Sequence, residues 1–155
     1  MRSIFVGIEY AGKSTLIDLL DKYYRNRKIH THGDDHFTIP DATLSPTSRK
    51  VMVSLPDDMK ERMQRMQIHY HIDIIKKYAC PLIAGWHIEE AVYTDMYGDD
   101  PESPYYSRYV YNFQRLYEAQ VLEGNIPDLV MFHVTASDEE IARRMHEFPH
   151  EYPIV

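Results

Sequence analysis

The sequence of 155 residues contains one cysteine, Cys80, which excludes an intrachain disulfide and leaves no cysteine cluster for zinc. It also lacks an apolar run long enough for a signal peptide or a membrane span, so we expect a cytoplasmic protein. Acidic residues outnumber basic ones, and the formal net charge of −7 argues against nucleic acid polymers and anionic membranes as partners. An anionic ligand would therefore need a local positive site.

The nine histidines are scattered along the chain and are not spaced as metal ligands. His69 and His71 are two residues apart, and two such side chains on a helix point to different faces. We therefore expect separate surface or core histidines and no shared metal ion.

Signals for strands and helices alternate along the chain, without a repeat, a linker or a low-complexity tract. Apolar runs predict buried strands at residues 3–7, 28–32, 80–86 and 128–136, and the last run is apolar enough to suggest burial on both faces. Helical spacing and capping residues predict helices at 13–25, from Ser45-Pro46, at 57–78 and 107–122, and from Ser137. This order predicts one α/β domain whose parallel sheet is covered on both sides.

Two of these helices have apolar stripes that predict packing against the core. The stripe of helix 13–25 consists of Leu16, Leu19, Leu20 and Tyr23. The stripe of helix 57–78 consists of Met59, Met63, Met66, Tyr70 and Ile74. Between them, residues 33–49 are predicted to form a loop because they are rich in turn residues.

The segment "GIEYAGKST" fits the pattern G-x-x-x-x-G-K-[ST] at every fixed position. Gly7 and Gly12 let the backbone curl into a concave nest of N–H groups, and the following helix adds the positive end of its dipole. Lys13 can reach the outer phosphates, and the Ser14 hydroxyl can hold Mg²⁺. Because the pattern follows an apolar strand and opens an amphipathic helix, it favours a nucleoside triphosphate site over a glycine turn without a ligand. This site consists of Gly7, Ile8, Glu9, Tyr10, Ala11, Gly12, Lys13, Ser14 and Thr15.

From Ile4 to Val155, the order of elements resembles that of the small P-loop kinases of the thymidylate kinase and deoxynucleoside kinase group. An N-K-x-D motif, which would indicate a GTPase, is absent. "GDDHF" lies where these kinases carry an acidic residue after the second strand, and "IEEAVYTDMYG" is similar to a segment after their third strand. "SDEEIARRM" resembles their run into an arginine-bearing lid, here near residues 137–152.

The resemblance implies a P-loop αβα sandwich over residues 1–155 that uses ATP and Mg²⁺ to phosphorylate a small acceptor, a nucleoside or a nucleotide. The residues that it places in catalysis are Lys13, Asp34, Asp35, Arg143 and Arg144, with Ser14 and Asp35 at the metal. The residues that it places near the acceptor are Phe37, Arg65, Gln67, Trp86, Glu89, Glu90 and Tyr93. Each also has a structural interpretation: a solvated turn or helix face for the charged and polar ones, and core or interface packing for the aromatic ones.

The sequence departs from this family at two places. The acidic–arginine pair that follows the third strand is replaced by Ala84 and Gly85, although Glu89, Asp34 or Asp35 could substitute. A fifth strand and a last helix would be expected after Val155. Two other functions therefore remain open: a nucleotide-binding regulator or slow ATPase without an acceptor, and a structural module whose helix 107–122 contacts a second copy of the chain.

Overall fold

The computed structural model describes residues 1–35, 39–41, 43–97, 126 and 128–151. The strands in these ranges are β1 (Arg2–Val6), β2 (His32–Asp35), β3 (Pro81–Ala84) and β4 (Leu129–His133). The helices are α1 (Lys13–Arg25), α2 (Pro46–Val53), α3 (Asp57–Lys77), α4 (His87–Tyr97) and α5 (Asp138–Glu147). The helix predicted at 107–122 lies outside the described residues. None of the described helices is long and apolar enough to cross a membrane.

The four strands form one parallel sheet in the order β2-β3-β1-β4. Phe5 of β1 is level with Ala84 of β3 and with Phe132 of β4, and Asp35 of β2 is level with Ala84. The carboxyl ends of all four strands therefore meet at one edge, with β1 in the interior of the sheet. The predicted α/β class with a parallel sheet is confirmed.

The apolar core lies between the sheet and α3. Its buried side chains include Ile4 and Ile83 from the sheet, Ile68, Ile72 and Ile75 from α3, and Trp86. Of the stripe predicted for this helix, Ile74 is buried, but Met59, Met66 and Tyr70 are exposed, so the methionine positions are wrong. The buried face instead follows Glu61, Gln64, Ile68, His71 and Ile75, whose spacing of three or four residues places them on one side of the helix.

The described residues of α1 and β4 are much less buried than those of α3. No residue of α1 is buried, and Leu16, Leu19 and Tyr23 of its predicted stripe are exposed. In β4, Val130 and Met131 are exposed as well, so the predicted burial of this strand on both faces is wrong. Because β4 is the edge strand of the described sheet, it has a strand neighbour on one side only, and its apolar run did not reveal this position.

The second strand begins where the sequence predicts its end. Residues 28–31 belong to the turn that follows α1, where Lys28 has a positive φ of 60° and the N–H groups of Lys28 and Ile29 donate to carbonyls of α1. The strand starts at His32, whose N–H donates to the carbonyl of Cys80 at 3.1 Å. Asp34 and Asp35 are consequently strand residues and do not belong to the predicted loop.

Candidate functional site

The loop between β1 and α1 lies at the carboxyl edge of the sheet. Tyr10 and Gly12 have positive φ angles of 61° and 103°, a region that favours glycine and curls the backbone. A Cβ at Gly7 would lie 2.2 Å from the carbonyl oxygen of Val134, so a side chain there would require the end of β4 to move. The two glycines of the motif are therefore needed for different reasons: one for its φ angle and the other for close backbone packing.

Lys13 folds back over this loop. Its ammonium group donates hydrogen bonds to the carbonyl oxygen of Gly7 and, at 3.4 Å, to that of Ile8. It also forms an ion pair with Glu89, with 3.0 Å between Nζ and Oε1. The Lys13 ammonium group, which is expected to bind phosphate, is thus held at the loop, and the carboxylate of Glu89 offsets its charge.

Glu89 joins the loop to the start of α4. Its Oε1 accepts from the Gly7 N–H at 2.7 Å, and its Oε2 accepts from the Trp86 N–H at 3.1 Å. The second bond is one half of a capping box, in which the third residue of a helix reaches back to the N–H of the residue before the helix. A carboxylate in the first turn of α4 is therefore in contact with both Lys13 and the loop.

Tyr93 lies one helical turn after Glu89 and so faces the same side of α4. Its hydroxyl accepts from the N–H of Glu9 at 3.2 Å. Trp86, by contrast, is buried in the core, where its ring lies parallel to that of His71 at 6.1 Å. Of the aromatic residues predicted near the acceptor, Tyr93 contacts the loop and Trp86 packs in the core, while Phe37 lies outside the described residues. The side chain of Glu90 is likewise not described.

The two adjacent arginines of α5 have different surroundings. The Nη1 of Arg144 donates to the carbonyl oxygen of Tyr10 at 2.6 Å and would lie 3.3 Å from a Cβ at Gly12. Arg143 instead pairs with Glu140 and Glu147 of its own helix. Of these bonds, only that of Arg144 reaches the loop. Adjacent residues of a helix point about 100° apart, so the two arginines can have different partners.

Glu140 connects the two arginines. It accepts from Arg143 and, at 2.7 Å, from the Nε of Arg144. The hydrogen bonds from Arg143, and then those from Arg144, lower the pKa of the Glu140 carboxyl from 4.5 to about 2. Glu140 therefore stays ionised near neutral pH and offsets part of the positive charge beside the loop.

Residues after α5 contact the tip of the loop. The ring of His150 stacks on that of Tyr10 with centroids 4.4 Å apart, and the backbone N–H of His150 donates to the Tyr10 hydroxyl at 3.0 Å. The sequence reasoning missed His150 and Glu140. The spacing of Glu140 to Arg143 and Arg144 was a usable signal, because residues three and four apart meet on a helix. His150 gave no such local signal.

Two cavities flank the loop. The larger, about 720 Å³, is lined by residues 8–16 of the loop and α1, by Glu140, Arg143 and Arg144 of α5, and by Leu19, Val134, Phe148 and His150. The smaller, about 260 Å³, is lined by residues 6–8, by Ile88, Glu89, Val92, Tyr93 and Met96 of α4, and by His133. Ile8 borders both cavities, so the loop forms the wall between them.

The acidic residues of β2 are placed differently from the loop residues. Asp34 faces α3, where its carboxylate lies 4.0 Å from the Nε2 of His71 and raises the pKa of Tyr70 through its charge. Asp35 ends β2, and its side chain is not described. Arg65 pairs with Glu61 at 2.7 Å, and Gln67 lies on the same helix, α3.

The predicted Mg²⁺ ligand Ser14 is accessible at the loop. It lies exposed in the first turn of α1 and lines the larger cavity. Among the described residues, no three His, Cys, Asp or Glu side chains come together as a metal site. A divalent cation would therefore need phosphate oxygens and water as further ligands, which is the usual coordination of Mg²⁺ at nucleotides.

No protein-family model matches the chain, and no curated protein is significantly similar to it. The parallel sheet flanked by helices is compatible with both P-loop and Rossmann-like folds. The resemblance to small P-loop kinases therefore stays a prediction.

Proposed function

We propose that this chain is a P-loop kinase that binds Mg²⁺·ATP at residues 7–15 and transfers the γ-phosphoryl group to a small hydroxyl compound. The observation that carries the proposal is the loop itself. It joins an interior parallel strand to a helix N-terminus, needs glycine at Gly7 and Gly12, and holds Lys13 at its mouth. A glycine turn without a ligand has no need for this combination.

The backbone of the loop supplies the phosphate site. Its curled N–H groups and the N-terminus of α1 attract anions without any side chain. Lys13 adds a full positive charge on this side, and Arg144 adds another from the side of α5. The larger cavity, which these residues line together, is the natural place for the nucleotide.

Catalysis of this transfer requires stabilisation of charge on the phosphoryl oxygens and a route for the acceptor proton. Lys13 and Arg144 serve the first need. Mg²⁺, held by Ser14, would neutralise phosphate charge when bound. For the second need, Glu89 is the carboxylate in contact with Lys13, while the described contacts of Asp34 are with α3. We therefore assign to Glu89 the role of the base that accepts the proton of the acceptor hydroxyl group. Asp35, whose side chain is not described, is the alternative base.

A slow ATPase or nucleotide-binding regulator is the second candidate. It is favoured by Ala84 and Gly85, which replace the acidic–arginine pair of the kinases, and by the hydrogen bonds that already engage Glu89 at the loop. Phosphate release measured with and without nucleosides separates the two functions. A kinase transfers the γ-phosphoryl group to the nucleoside, whereas an ATPase transfers it to water and releases phosphate.

Lys13→Ala tests the site. We expect the Kd for Mg²⁺·ATP, measured by calorimetry, to rise by about tenfold or more, because a charge-assisted contact to phosphate contributes roughly 1.5–3 kcal/mol. Turnover should be lost as well. Lys22→Ala is the matched control, since Lys22 lies on the same helix, exposed and outside both cavities. Equal ATP affinity in the Lys13 variant and the parent would contradict the site assignment.

A further inference from the structure

We propose that residues 148–151 form a strap across the tip of the phosphate loop, and that protonation of His150 holds this strap in place and tightens nucleotide binding. The effect on the nucleotide rests on the function proposed above, whereas the strap is defined by contacts of the described residues alone. The strap follows α5 and contacts two other elements, the loop and α2. It would make the binding of ATP depend on pH in the range in which histidine side chains change their charge.

Some contacts of the strap do not depend on the charge of His150. The backbone N–H of His150 donates to the Tyr10 hydroxyl at 3.0 Å, and the two rings stack with centroids 4.4 Å apart. At the other end of the strap, Glu151 pairs with Arg49 of α2 at 2.8 Å. These contacts place the strap against the loop whether the imidazole is neutral or protonated.

A further contact to the loop does depend on this charge. The Nδ1 of His150 lies 3.8 Å from the Oε2 of Glu9, which is longer than a hydrogen bond. A neutral imidazole gains little from a carboxylate at this distance, but an imidazolium gains the attraction of an ion pair. Since the Glu9 side chain is 15% exposed, water screens this pair less than a fully exposed one. Protonation therefore strengthens the hold of the strap on the loop.

The strap borders the larger cavity, in which we place the nucleotide. Phe148 and His150 line this cavity together with Glu9 and the rest of the loop. A strap held against the loop hinders the exit of a ligand, and an imidazolium offsets the negative charge that Glu9 presents close to the phosphates. Both effects have the same sign, so the nucleotide should bind more tightly as the pH falls.

The other charged residues that line this cavity are not expected to change their charge over the same range. They are Lys13, Glu140, Arg143 and Arg144. Lysine and arginine side chains stay protonated and carboxylates stay ionised between about pH 5.5 and 8. Glu140 is held further from that range, because its arginine partners lower its pKa to about 2. Among the described residues around the cavity, His150 is therefore the side chain that can make ATP binding depend on pH.

The experiment compares four proteins over this pH range. His150→Phe keeps an aromatic ring for Tyr10 but cannot be protonated, and Glu9→Gln removes the carboxylate while keeping its shape. His146→Phe is the matched control, because His146 is an exposed histidine of α5 that lines neither cavity. Calorimetry measures the Kd for Mg²⁺·ATP from about pH 5.5 to 8. The ratio of each variant's Kd to that of the parent cancels the protonation of ATP itself.

We expect the ratio for His150→Phe to be near one at about pH 8 and to reach about two- to fivefold at about pH 5.5, the effect of one partly exposed ion pair. The ratio for Glu9→Gln should rise by a similar factor between these two pH values, and that for His146→Phe should stay constant. A ratio for His150→Phe or for Glu9→Gln that does not depend on pH would overturn the inference. An equal pH dependence in His146→Phe would overturn it as well.

Hydrogen exchange without nucleotide distinguishes failure of this inference from failure of the proposed function. The His150 amide donates to the Tyr10 hydroxyl, so its protection reports how often the strap leaves the loop. Protection in Glu9→Gln should be about two- to fivefold below that of the parent at about pH 5.5 and equal to it at about pH 8. Equal protection at both pH values would show that the strap is not held by His150 and Glu9. If the parent does not bind ATP, the proposed function fails, while the exchange result still decides whether the strap responds to pH.

Discussion

The two flanks of the phosphate loop contact it with opposite chemistry. On the α4 flank, Glu89 and Tyr93 accept hydrogen bonds from loop N–H groups. On the α5 flank, Arg144 donates to a loop carbonyl. A phosphate needs the N–H donors, so it competes with α4 and is attracted by α5. In the proposed kinase, α4 would therefore control the reacting end of the nucleotide, and α5 would add positive charge from outside.

The flanks also differ in how strongly they are held. The Glu89 side chain is 11% exposed and bonded at both oxygens, whereas Arg144, which contacts the loop from α5, and its partner Glu140 are 31% and 33% exposed. Exposed ion pairs contribute little to stability and are screened by salt. The contacts of α5 can therefore be exchanged at low cost, which is the property expected of a lid that closes on a substrate.

Glu89→Gln is expected to have the largest effect on the α4 flank. The amide oxygen can still accept from Gly7, but it cannot take a proton, so kcat should fall by roughly 10²–10⁴-fold, the usual range for a general base. The Kd for ATP should stay equal or improve, because Lys13 loses an opposing charge. Single-turnover rates and calorimetry measure the two quantities.

Glu90→Gln is the control for this variant, since it makes the same change about 100° further round the helix. It should leave the rate within about twofold of the parent if the effect belongs to Glu89 alone. Comparable rate losses in both variants would mean that the negative charge of α4 acts as a whole. If the rate of Glu89→Gln is unchanged, Glu89 is not the general base, and Asp35 becomes the candidate that accepts the acceptor's proton.

Arg144→Ala is expected to have the next largest effect and tests the α5 flank. Loss of one donor to a transferring phosphoryl group should cost roughly 2–4 kcal/mol of barrier, or about ten- to a thousandfold in rate. Arg143→Ala should change the rate by less than about threefold, because the exposed Arg143 pairs with carboxylates of its own helix. If the two variants lose equal rates, α5 acts through its summed charge and not through the contact at Tyr10.

Local patterns were sufficient to predict the parts of the fold that depend on neighbours in sequence. The strand–loop–helix around Gly7 and Lys13 and the caps at Ser45 and Ser137 are present as predicted. Burial was predicted poorly, because it depends on which surfaces meet. The exposed apolar residues of α1 and β4 have the same sequence patterns as buried ones. In α3 the buried apolar residues are isoleucines, and only Ile74 of them belongs to the predicted stripe.

The candidate site shows the same division. The motif predicted the loop, and the resemblance placed both Arg143 and Arg144 in catalysis, although only one of them donates to the loop. The sequence could not show which one, since that depends on how α5 lies against Tyr10. Nor could it single out Glu89 from Glu90, because a contact between α4 and Gly7 joins residues 82 positions apart.

Glu140→Gln should give the smallest effect, and it tests whether α5 acts on the loop through its charge. Glu140 bonds both arginines, so removal of its charge leaves Arg144 less neutralised beside the loop. ATP should then bind about two- to fivefold more tightly at low salt, as expected for an exposed ion pair. Glu147→Gln is the matched control, because Glu147 bonds Arg143 and should leave ATP affinity nearly unchanged.

The pH dependence gives this last prediction a second test. The folded pKa of Glu140 is lowered from 4.5 to about 2, so its contribution to stability is fully present above about 4.5 and is lost as the pH falls toward 2. The carboxylate is therefore ionised throughout a calorimetric series from about pH 6 to 8, and the ratio of parent to variant Kd should be constant across it. Added salt should reduce that ratio toward one, because exposed charges are screened. A ratio that ignores salt would show that Glu140 acts by holding the side chain of Arg144 in place, and the charge explanation of the α5 flank would then be wrong.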